Sequence, residues 1–481
     1  MDINDGHEFL MIGDSIVYCN PIVLKAFEDG NLFGSNLGLD SETITHALKK
    51  ANFFKKHRFE HVNNKDRFKR IEPREIEKTI ANLRQITFEV TDACNLKCKY
   101  CGYGEFYDDY DERKNRVLDE KKAILLLDYL IDRWNSPLNT SQGREIFISF
   151  YGGEPLLNMD FIRQIISYIE NSTLLYNKCR FSMTTNGILL HKYLPYLVEQ
   201  NVNLLISLDG DGQGHSYRVD HHGENSFERV FKNIRFIQKN YPNYFEANVN
   251  FNAVLHNKNS VAGIYQFIKD EFGKVPAIAE LNNTGIRREM QDEFFDTYRN
   301  ARESLYQSED YSRIKKDMFL KLGEIRDIGL FLFKHSRNFF QTYNDFFIDS
   351  EHAKRTPTGT CEPFGKKMFV TVNGKILPCE RVGHQCALGY VDLDGVWIDF
   401  DKIAETYNHY FDKLGRQCNL CYNVDACIQC VFQLDNLDAK PICLGYTNQT
   451  TFRNEINYKM RYLSAHKEMY SKLVNELIIQ I

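Results

Sequence analysis

Long apolar runs are missing from this 481-residue chain: stretches such as Ile124-Leu125-Leu126-Leu127 meet a charge within about a turn, far short of a membrane span. No basic-then-apolar segment with a small-residue cleavage site follows Met1-Asp2-Ile3-Asn4-Asp5-Gly6, so a cytoplasmic protein with no membrane partner is expected. Charge of one sign is missing too. The 60 Lys and Arg against 65 Asp and Glu leave a net charge of −5, which gives no electrostatic case for a nucleic-acid partner. Internal repeats, low-complexity tracts and flexible linkers are absent. No nucleophile–base arrangement suggests a hydrolase. Asp209-Gly210-Asp211-Gly212 is followed by no Lys and Ser/Thr, so it is not a phosphate loop.

With 43% hydrophobic and 26% charged residues, the composition is that of a globular protein with room for two or three domains. Thirteen cysteines in a reducing compartment are not expected to form disulfides. Ten fall into two clusters with tight spacing, which is how metal ligands look.

From residue 85 onward, strand-like and helix-like patterns alternate. Strands are expected at Gln85–Val90, Ile146–Tyr151, Arg180–Thr184, Asn203–Ser207, Glu246–Leu255 and Ala277–Leu281. Helices are expected at Leu118–Trp134, Asp160–Glu170, His191–Glu199, Ser226–Lys239 and Val261–Glu271. This alternation predicts an α/β fold with a parallel sheet. Residues 1–84 read as a small α+β unit, with strands Phe9–Ile12 and Ile16–Cys19 around Gly13-Asp14, a helix near Ile44–Phe54 and a basic segment Lys55–Arg70. Residues 288–360 carry Phe, Tyr, Arg and Lys at helical spacing and read as a helical bridge. In residues 361–481, Met368–Val372 and Lys375–Leu377 flank Asn373-Gly374, a type I′ hairpin signal.

The run Cys94-Asn95-Leu96-Lys97-Cys98-Lys99-Tyr100-Cys101 sits at the C-terminal end of the first predicted barrel strand, where ligand sites of α/β folds collect. Three thiolates so spaced suit an iron–sulfur cube with one iron left open, or, on spacing alone, zinc. Two further segments follow in order: Tyr151-Gly152-Gly153-Glu154-Pro155 and Ile206-Ser207-Leu208-Asp209-Gly210. Together with the aromatic Tyr100, these resemble the CxxxCxxC, GGEP and SLDG motifs of the radical S-adenosylmethionine (SAM) superfamily.

That resemblance implies a partial (β/α)6 barrel over residues 85–287. Cys94, Cys98 and Cys101 would hold a [4Fe-4S] cluster whose open iron chelates SAM. Tyr100, Gly152, Gly153, Glu154, Asn186, Ser207, Asp209 and Arg218 are the candidate SAM contacts. The two glycines would let backbone approach the ligand, and Glu154 would meet the methionine ammonium or cap the next helix. Ser207 suits the ribose or carboxylate and Arg218 the carboxylate. His221-His222 reads as a polar loop.

The second cluster is Cys361, then Gly374-Lys375-Ile376-Leu377-Pro378-Cys379, then Cys418-x2-Cys421-x5-Cys427-x2-Cys430, then Cys443. By itself this suits a zinc ribbon as well as iron–sulfur ligation. It resembles the SPASM domain, although that family usually spaces the last pair by three residues. The resemblance implies two auxiliary [4Fe-4S] clusters. Cys418, Cys421, Cys427 and Cys443 would hold the outer one, and Cys361, Cys379 and Cys430 three positions of the inner one. The fourth inner ligand is Cys386 or an open iron.

Glu380 occupies the position of a proton-accepting aspartate in sulfatase-maturing relatives. It is a candidate catalytic carboxylate, or it pairs with Arg381. The function these resemblances imply is a peptide maturase that oxidatively crosslinks a ribosomally made precursor peptide, fed electrons by a flavodoxin or ferredoxin. The alternatives are an anaerobic sulfatase-maturing enzyme and a zinc-structured interaction module. Residues 1–84 would be the segment that recognises the precursor, or an N-terminal cap that only packs against the barrel.

Overall fold

Short apolar runs near the start of the chain pair as the sequence reading expects. β1 (Glu8–Ile12) and β2 (Ser15–Cys19) form a two-stranded antiparallel sheet with Phe9 opposite Tyr18 and Met11 opposite Ile16. The computed structural model describes residues 8–12, 15–19, 22–23, 25–26, 40–56, 68–318, 321–335, 356–434, 437, 439 and 441–473. The expected turn at Gly13-Asp14 and most of the basic segment Lys55–Arg70 lie outside them. The expected helix near Ile44 runs over Ser41–Lys56; the Asp40 carboxylate accepts the Thr43 N–H and hydroxyl at its start.

The chain divides into two compact units. One comprises Met1–Lys69, Phe319–Thr360 and Tyr410–Ile481; the other comprises Arg70–Met318 and Cys361–His409. In the first, the helices Gly323–His335 and Gln449–Ala465 share an apolar core. Ile325, Ile328 and Leu332 meet Leu463 and Leu473, and Phe331 meets Phe452 and Ile456.

The second unit is built on β3 (Gln85–Thr91), in which all residues from Ile86 to Thr91 are buried. A strand covered on both faces belongs inside a parallel sheet with crossover helices. β4 (Glu145–Gly152), β5 (Lys178–Thr185), β6 (Asn203–Ser207), β7 (Val249–Val254) and β8 (Ala277–Ala279) follow it, each parallel to its neighbour. This is the expected six-strand parallel array. The crossover helices follow from their apolar stripes. In Glu120–Trp134 the buried residues are Ala123, Leu126, Leu127, Leu130 and Trp134, and the Asp119 side chain caps the start by accepting the Lys121 N–H. Val261–Phe272 stops at Gly273, whose φ of 69° provides the left-handed cap.

The expected helical character of 288–360 is seen in the helices Gln291–Thr297, Ala301–Tyr306, Tyr311–Asp317 and Gly323–His335, with 336–355 outside the described residues. Two expectations are corrected. Glu246–Asn248 are not strand: they finish the helix Pro242–Asn248, which Pro242 starts, and β7 begins only at Val249. The hairpin of β9 (Met368–Val370) and β10 (Lys375–Leu377) is not closed by a type I′ turn. Among the described residues only Gly374 of the Asn373-Gly374 pair has positive φ, 82°, whereas type I′ needs both. The Gly374 N–H instead closes a turn onto the Thr371 carbonyl at 2.8 Å. Asn373 is held out of the left-handed region by its side chain, which accepts from Arg116 Nη1 and donates to Asp111.

β11 (Gly389–Val391) and β12 (Val396–Trp397) continue this hairpin, and β9 pairs parallel with β3. The result is one ten-stranded sheet in the order β12-β11-β10-β9-β3-β4-β5-β6-β7-β8. No helix among the described residues is long and apolar enough to cross a membrane. Phe88, fully buried on β3, meets Phe161 edge to face at 6.0 Å between ring centroids. Replacing Phe88 by Ala should cost about 3–5 kcal/mol, read as a fall in the urea midpoint with an unchanged denaturant slope.

Candidate functional site

The three motif segments leave the sheet at the C-terminal ends of β3, β4 and β6, and hydrogen bonds knit them together. Gly153 N–H donates to the Thr91 carbonyl at 2.8 Å and Glu154 N–H to the Ala93 carbonyl at 2.9 Å. This apposition explains the paired glycines differently from the sequence reading. A Cβ on Gly152, where φ is 135°, would lie 2.3 Å from the Thr91 carbonyl oxygen, and one on Gly153 would lie 2.0 Å from that of Ala93. The glycines admit the stem of the cysteine loop, so the close approach is of backbone to backbone. Asp92, two residues before Cys94, pins the same stem. Its buried carboxylate accepts from Arg116 N (2.7 Å), Arg116 Nε (3.0 Å) and Lys114 N (3.2 Å).

The other side of the loop is held by the segment after β6. Lys97 N–H donates to the Val219 carbonyl at 2.7 Å and Lys99 N–H to that of Tyr217 at 3.2 Å. His221, read from sequence as part of a polar loop, places Nε2 2.9 Å from the Cys94 carbonyl oxygen. Tyr100 donates its hydroxyl to Asp209, which also accepts from Arg218 Nε (2.9 Å), Arg218 Nη2 (3.2 Å) and Val254 N (2.9 Å). Asp209 is fully buried and Arg218 nearly so. Burial alone would raise the Asp209 pKa, but the Arg218 guanidinium outweighs it and holds the carboxyl below its usual range. His256 stacks on Tyr100 at 5.6 Å, and burial pushes its pKa down to about 4, so it packs as a neutral ring. Arg218 and Asp209, both expected at SAM, answer each other's charge here.

Glu154 is also fully buried. It caps the short helix Pro155–Asn158 by accepting the Leu156 N–H, and it accepts the Thr185 hydroxyl (2.7 Å) and the Asn186 N–H (2.8 Å). Burial raises its pKa to about 7. Asn186 in turn donates Nδ2 to Asn95 Oδ1 at 2.7 Å and approaches Cys94 Sγ at 3.8 Å. Ser207 donates to Asn252 Oδ1 at 3.2 Å.

Cys94, Cys98 and Cys101 are free thiols. Burial is the main cause that pushes Cys94 up to about 11 and Cys98 up to about 12, and in both the neighbouring loop thiols add to the rise. Such thiols ionise when a metal takes the proton's place. The environment fits a cluster's sulfur ligands: Cys94 Sγ accepts the Leu96 N–H at 3.4 Å, and Cys101 Sγ accepts from Arg113 Nη2 at 3.4 Å.

The second cysteine set falls in both units. In the larger unit, burial raises the Cys379 pKa, with a smaller contribution from nearby Cys361, and Cys379 Sγ accepts the Arg381 N–H at 3.4 Å. Cys386 ends the short helix His384–Cys386 of that unit. Glu380 pairs with Lys367, not Arg381: Nζ stands 3.1 Å from Oε1 and 3.0 Å from Oε2. In the other unit Cys418 and Cys421 are buried among Leu414, Val424, Val431 and Leu434, with Cys443 packed against them. Cys443 is coupled electrostatically to Cys427 and Cys421. Cys430 belongs to the same unit, where its carbonyl accepts from Gln433 N and Gln429 Nε2. Cys418, Cys421 and Cys443 thus share one apolar core, with Cys427 near Cys443; among the described residues no group of three or more His, Cys, Asp or Glu side chains stands close enough to hold a single metal ion.

Asp92, Asn95, Arg113, Arg116 and Lys367 were not marked by sequence, and His221 was read only as part of a polar loop. Arg113 and Arg116 lie in the charge run Glu112-Arg113-Lys114-Asn115-Arg116, which reads as a solvated face. Asp92 offered one signal, an acidic residue between a strand end and the cysteine loop.

Residues 88–269 match the family model described as the Radical SAM superfamily. Among curated proteins, the radical SAM cyclopropyl synthase TigE of Paramaledivibacter caminithermalis is 27% identical over 256 residues, covering 52% of this chain and 46% of TigE. The serine-type anaerobic sulfatase-maturating enzyme of Bacteroides thetaiotaomicron is 28% identical over 153 residues, covering 30% and 34%. The cysteine-type enzyme of Clostridium perfringens is 24% identical over 351 residues, covering 69% and 84%. The chain therefore spans about half the length of TigE and about a third of the Bacteroides enzyme. The solved structure of histidine-tagged anSMEcpe with bound AdoMet shares the fold, with a TM-score of 0.51 at 18% identity, covering 83% of this chain and 96% of that one.

The glycine contacts make a direct prediction. Gly153→Ala should force the loop stem away from β4, cost about 1–3 kcal/mol, and lower the iron taken up in anaerobic reconstitution. Full iron uptake with unchanged stability would show that the stem has room for a methyl group.

Proposed function

Because residues 88–269 of this chain match the Radical SAM superfamily model, we propose that it is a peptide maturase. It reductively cleaves SAM and oxidatively modifies, by crosslinking, a ribosomally made precursor peptide. The observation that supports this most is the convergence of the cysteine loop with the ends of β4, β5 and β6 through the Gly153–Thr91, Asn186–Asn95 and Asp209–Tyr100 hydrogen bonds. Cys94, Cys98 and Cys101 would hold a [4Fe-4S] cluster, which when bound would supply the electron for reductive cleavage of SAM.

The chain's own residues have the remaining parts. Glu154 and Asn186 fix the ends of β4 and β5 against Cys94, so SAM meets a preorganised rim that includes Gly152, Gly153 and Ser207. The Asp209–Arg218 pair with Tyr100 anchors the far side of the loop and keeps water from it. Glu380 stands as a paired carboxylate beside Cys379; taking a substrate proton requires the Lys367 pair to open. Cys418, Cys421, Cys427 and Cys443 would hold one auxiliary cluster, and Cys361 and Cys379 would supply ligands to another; such clusters would take up the second electron of the oxidation. A flavodoxin- or ferredoxin-class protein is the reductant. Formylglycine formation on a sulfatase is the second reading, favoured by the relatives named as sulfatase-maturating enzymes.

Two experiments bear on this reading. Dithionite-reduced wild-type protein should convert SAM to 5′-deoxyadenosine, and the Cys94→Ala/Cys98→Ala/Cys101→Ala variant should not. Iron should fall in the variant from about a dozen to about eight atoms per chain; undiminished 5′-deoxyadenosine from it would sink the assignment. The second concerns residues 1–84 as the recognition segment. Among the described residues β1 and β2 form a sheet of only two strands, and an extended leader could add a strand at an edge of that sheet. A precursor leader should slow amide hydrogen exchange in Glu8–Ile12 or Ser15–Cys19 by about tenfold or more. Unchanged exchange at saturating leader would remove the recognition role.

A further inference from the structure

Among the described residues, Cys101 is the loop cysteine whose sulfur accepts a hydrogen bond from a charged side chain, Arg113 Nη2 at 3.4 Å. The guanidinium is held from its other face as well: its carbon lies 4.3 Å from the centroid of the Tyr103 ring. Its Nε is buried with no hydrogen-bond partner among the described residues, while the residue as a whole is half-buried. Tyr103 is fixed in turn. Its hydroxyl donates to Glu89, whose second carboxylate oxygen accepts the Val372 N–H at 2.8 Å. Glu89 is 1% exposed and belongs to β3. Carboxylate, phenol, guanidinium and thiol therefore form a single file from the sheet to the loop sulfur.

We infer that Arg113 is a positioning residue that raises the reduction potential of the cluster carried by Cys94, Cys98 and Cys101, by donating an N–H to the Cys101 sulfur and fixing a positive charge beside it. The inference rests on the reading of that loop as the cluster site. One-electron reduction adds a negative charge to the cluster. A neighbouring cation and an N–H···S bond favour the reduced form over the oxidised one, and both are recognised determinants of iron–sulfur potentials. Arginine suits the task because its guanidinium stays charged whatever its surroundings, and its planar fork stacks on an aromatic ring while still donating in plane. Glu89 and Tyr103 contribute by holding that plane in place. The benefit is that an external donor of modest reducing power can load the cluster.

The test is anaerobic potentiometry on full-length, iron-replete protein without SAM, followed by electron paramagnetic resonance. The relevant signal is the one lost in the Cys94→Ala/Cys98→Ala/Cys101→Ala variant. Arg113→Gln should lower the midpoint so that the reduced-to-oxidised ratio at the wild-type midpoint falls about tenfold, equivalent to about 59 mV for one electron. Arg113→Lys, which keeps the charge without the fork, should fall between the two. A brace with only a structural role would alter iron retention but not the potential of the clusters that do form. An iron-replete Arg113→Gln protein with the wild-type midpoint overturns the inference. Should that variant not load iron, wild-type midpoints in both Arg113→Lys and Tyr103→Phe overturn it equally. Wild-type protein that takes up no cluster at this loop would overturn the reading of the loop itself.

Discussion

Two backbone hydrogen bonds, Gly153 to Thr91 and Glu154 to Ala93, set the separation on which the remainder of the site depends. They are possible only because neither Gly152 nor Gly153 carries a Cβ. With the ends of β3 and β4 locked at that distance, Glu154 reaches Thr185 and Asn186 at the end of β5, and Asn186 reaches Asn95 inside the loop. The site is thus assembled sideways across the sheet, strand end to strand end. Each step uses a polar group removed from water, and each finds a partner, as buried polar groups must.

The opposite flank is held electrostatically. Asp209 and Arg218 are a buried ion pair, an arrangement whose desolvation cost can equal its Coulombic gain. What the pair provides is geometry, because four donors converge on one carboxylate and one of them, Tyr100, belongs to the cysteine loop. Breaking one member would leave a buried charge uncompensated, a loss of about 3–5 kcal/mol in comparable cases. The loop is therefore fastened by glycine-permitted backbone contact on one side and by charge on the other.

How much of this could be read from the chain depended on distance along it. The parallel strands and their helices were legible because their patterns are local: the run Ile86–Val90 and the stripe Ala123–Leu130 announce burial on their own. The cysteine, GGEP and SLDG segments were legible as spacings. What those residues touch was not. Nothing in the sequence says that Arg218 faces Asp209, that Lys367 takes Glu380, or that Arg113 leaves an apparent charge run to meet a sulfur. The hairpin at Asn373-Gly374 failed for a related reason. The dipeptide favours a type I′ turn, but Arg116 and Asp111, both more than 250 residues earlier, claim the asparagine side chain. Local propensity lost to a tertiary contact.

The pairing of β9 with β3 also has a bearing on how the chain is made. Met368 and Ile86 are partners in one ladder, yet about 280 residues separate them. At a synthesis rate of roughly 5–20 residues per second, the outer edge of β3 waits on the order of 15–55 s on the ribosome before its partner exists. That edge belongs to an apolar strand, the kind of surface on which nascent chains pair wrongly. Glu89 lies in the middle of that edge. The Val372 N–H that its buried carboxylate accepts comes only with the β9–β10 hairpin. Closing the ladder and satisfying this carboxylate are therefore one late event in the making of the chain.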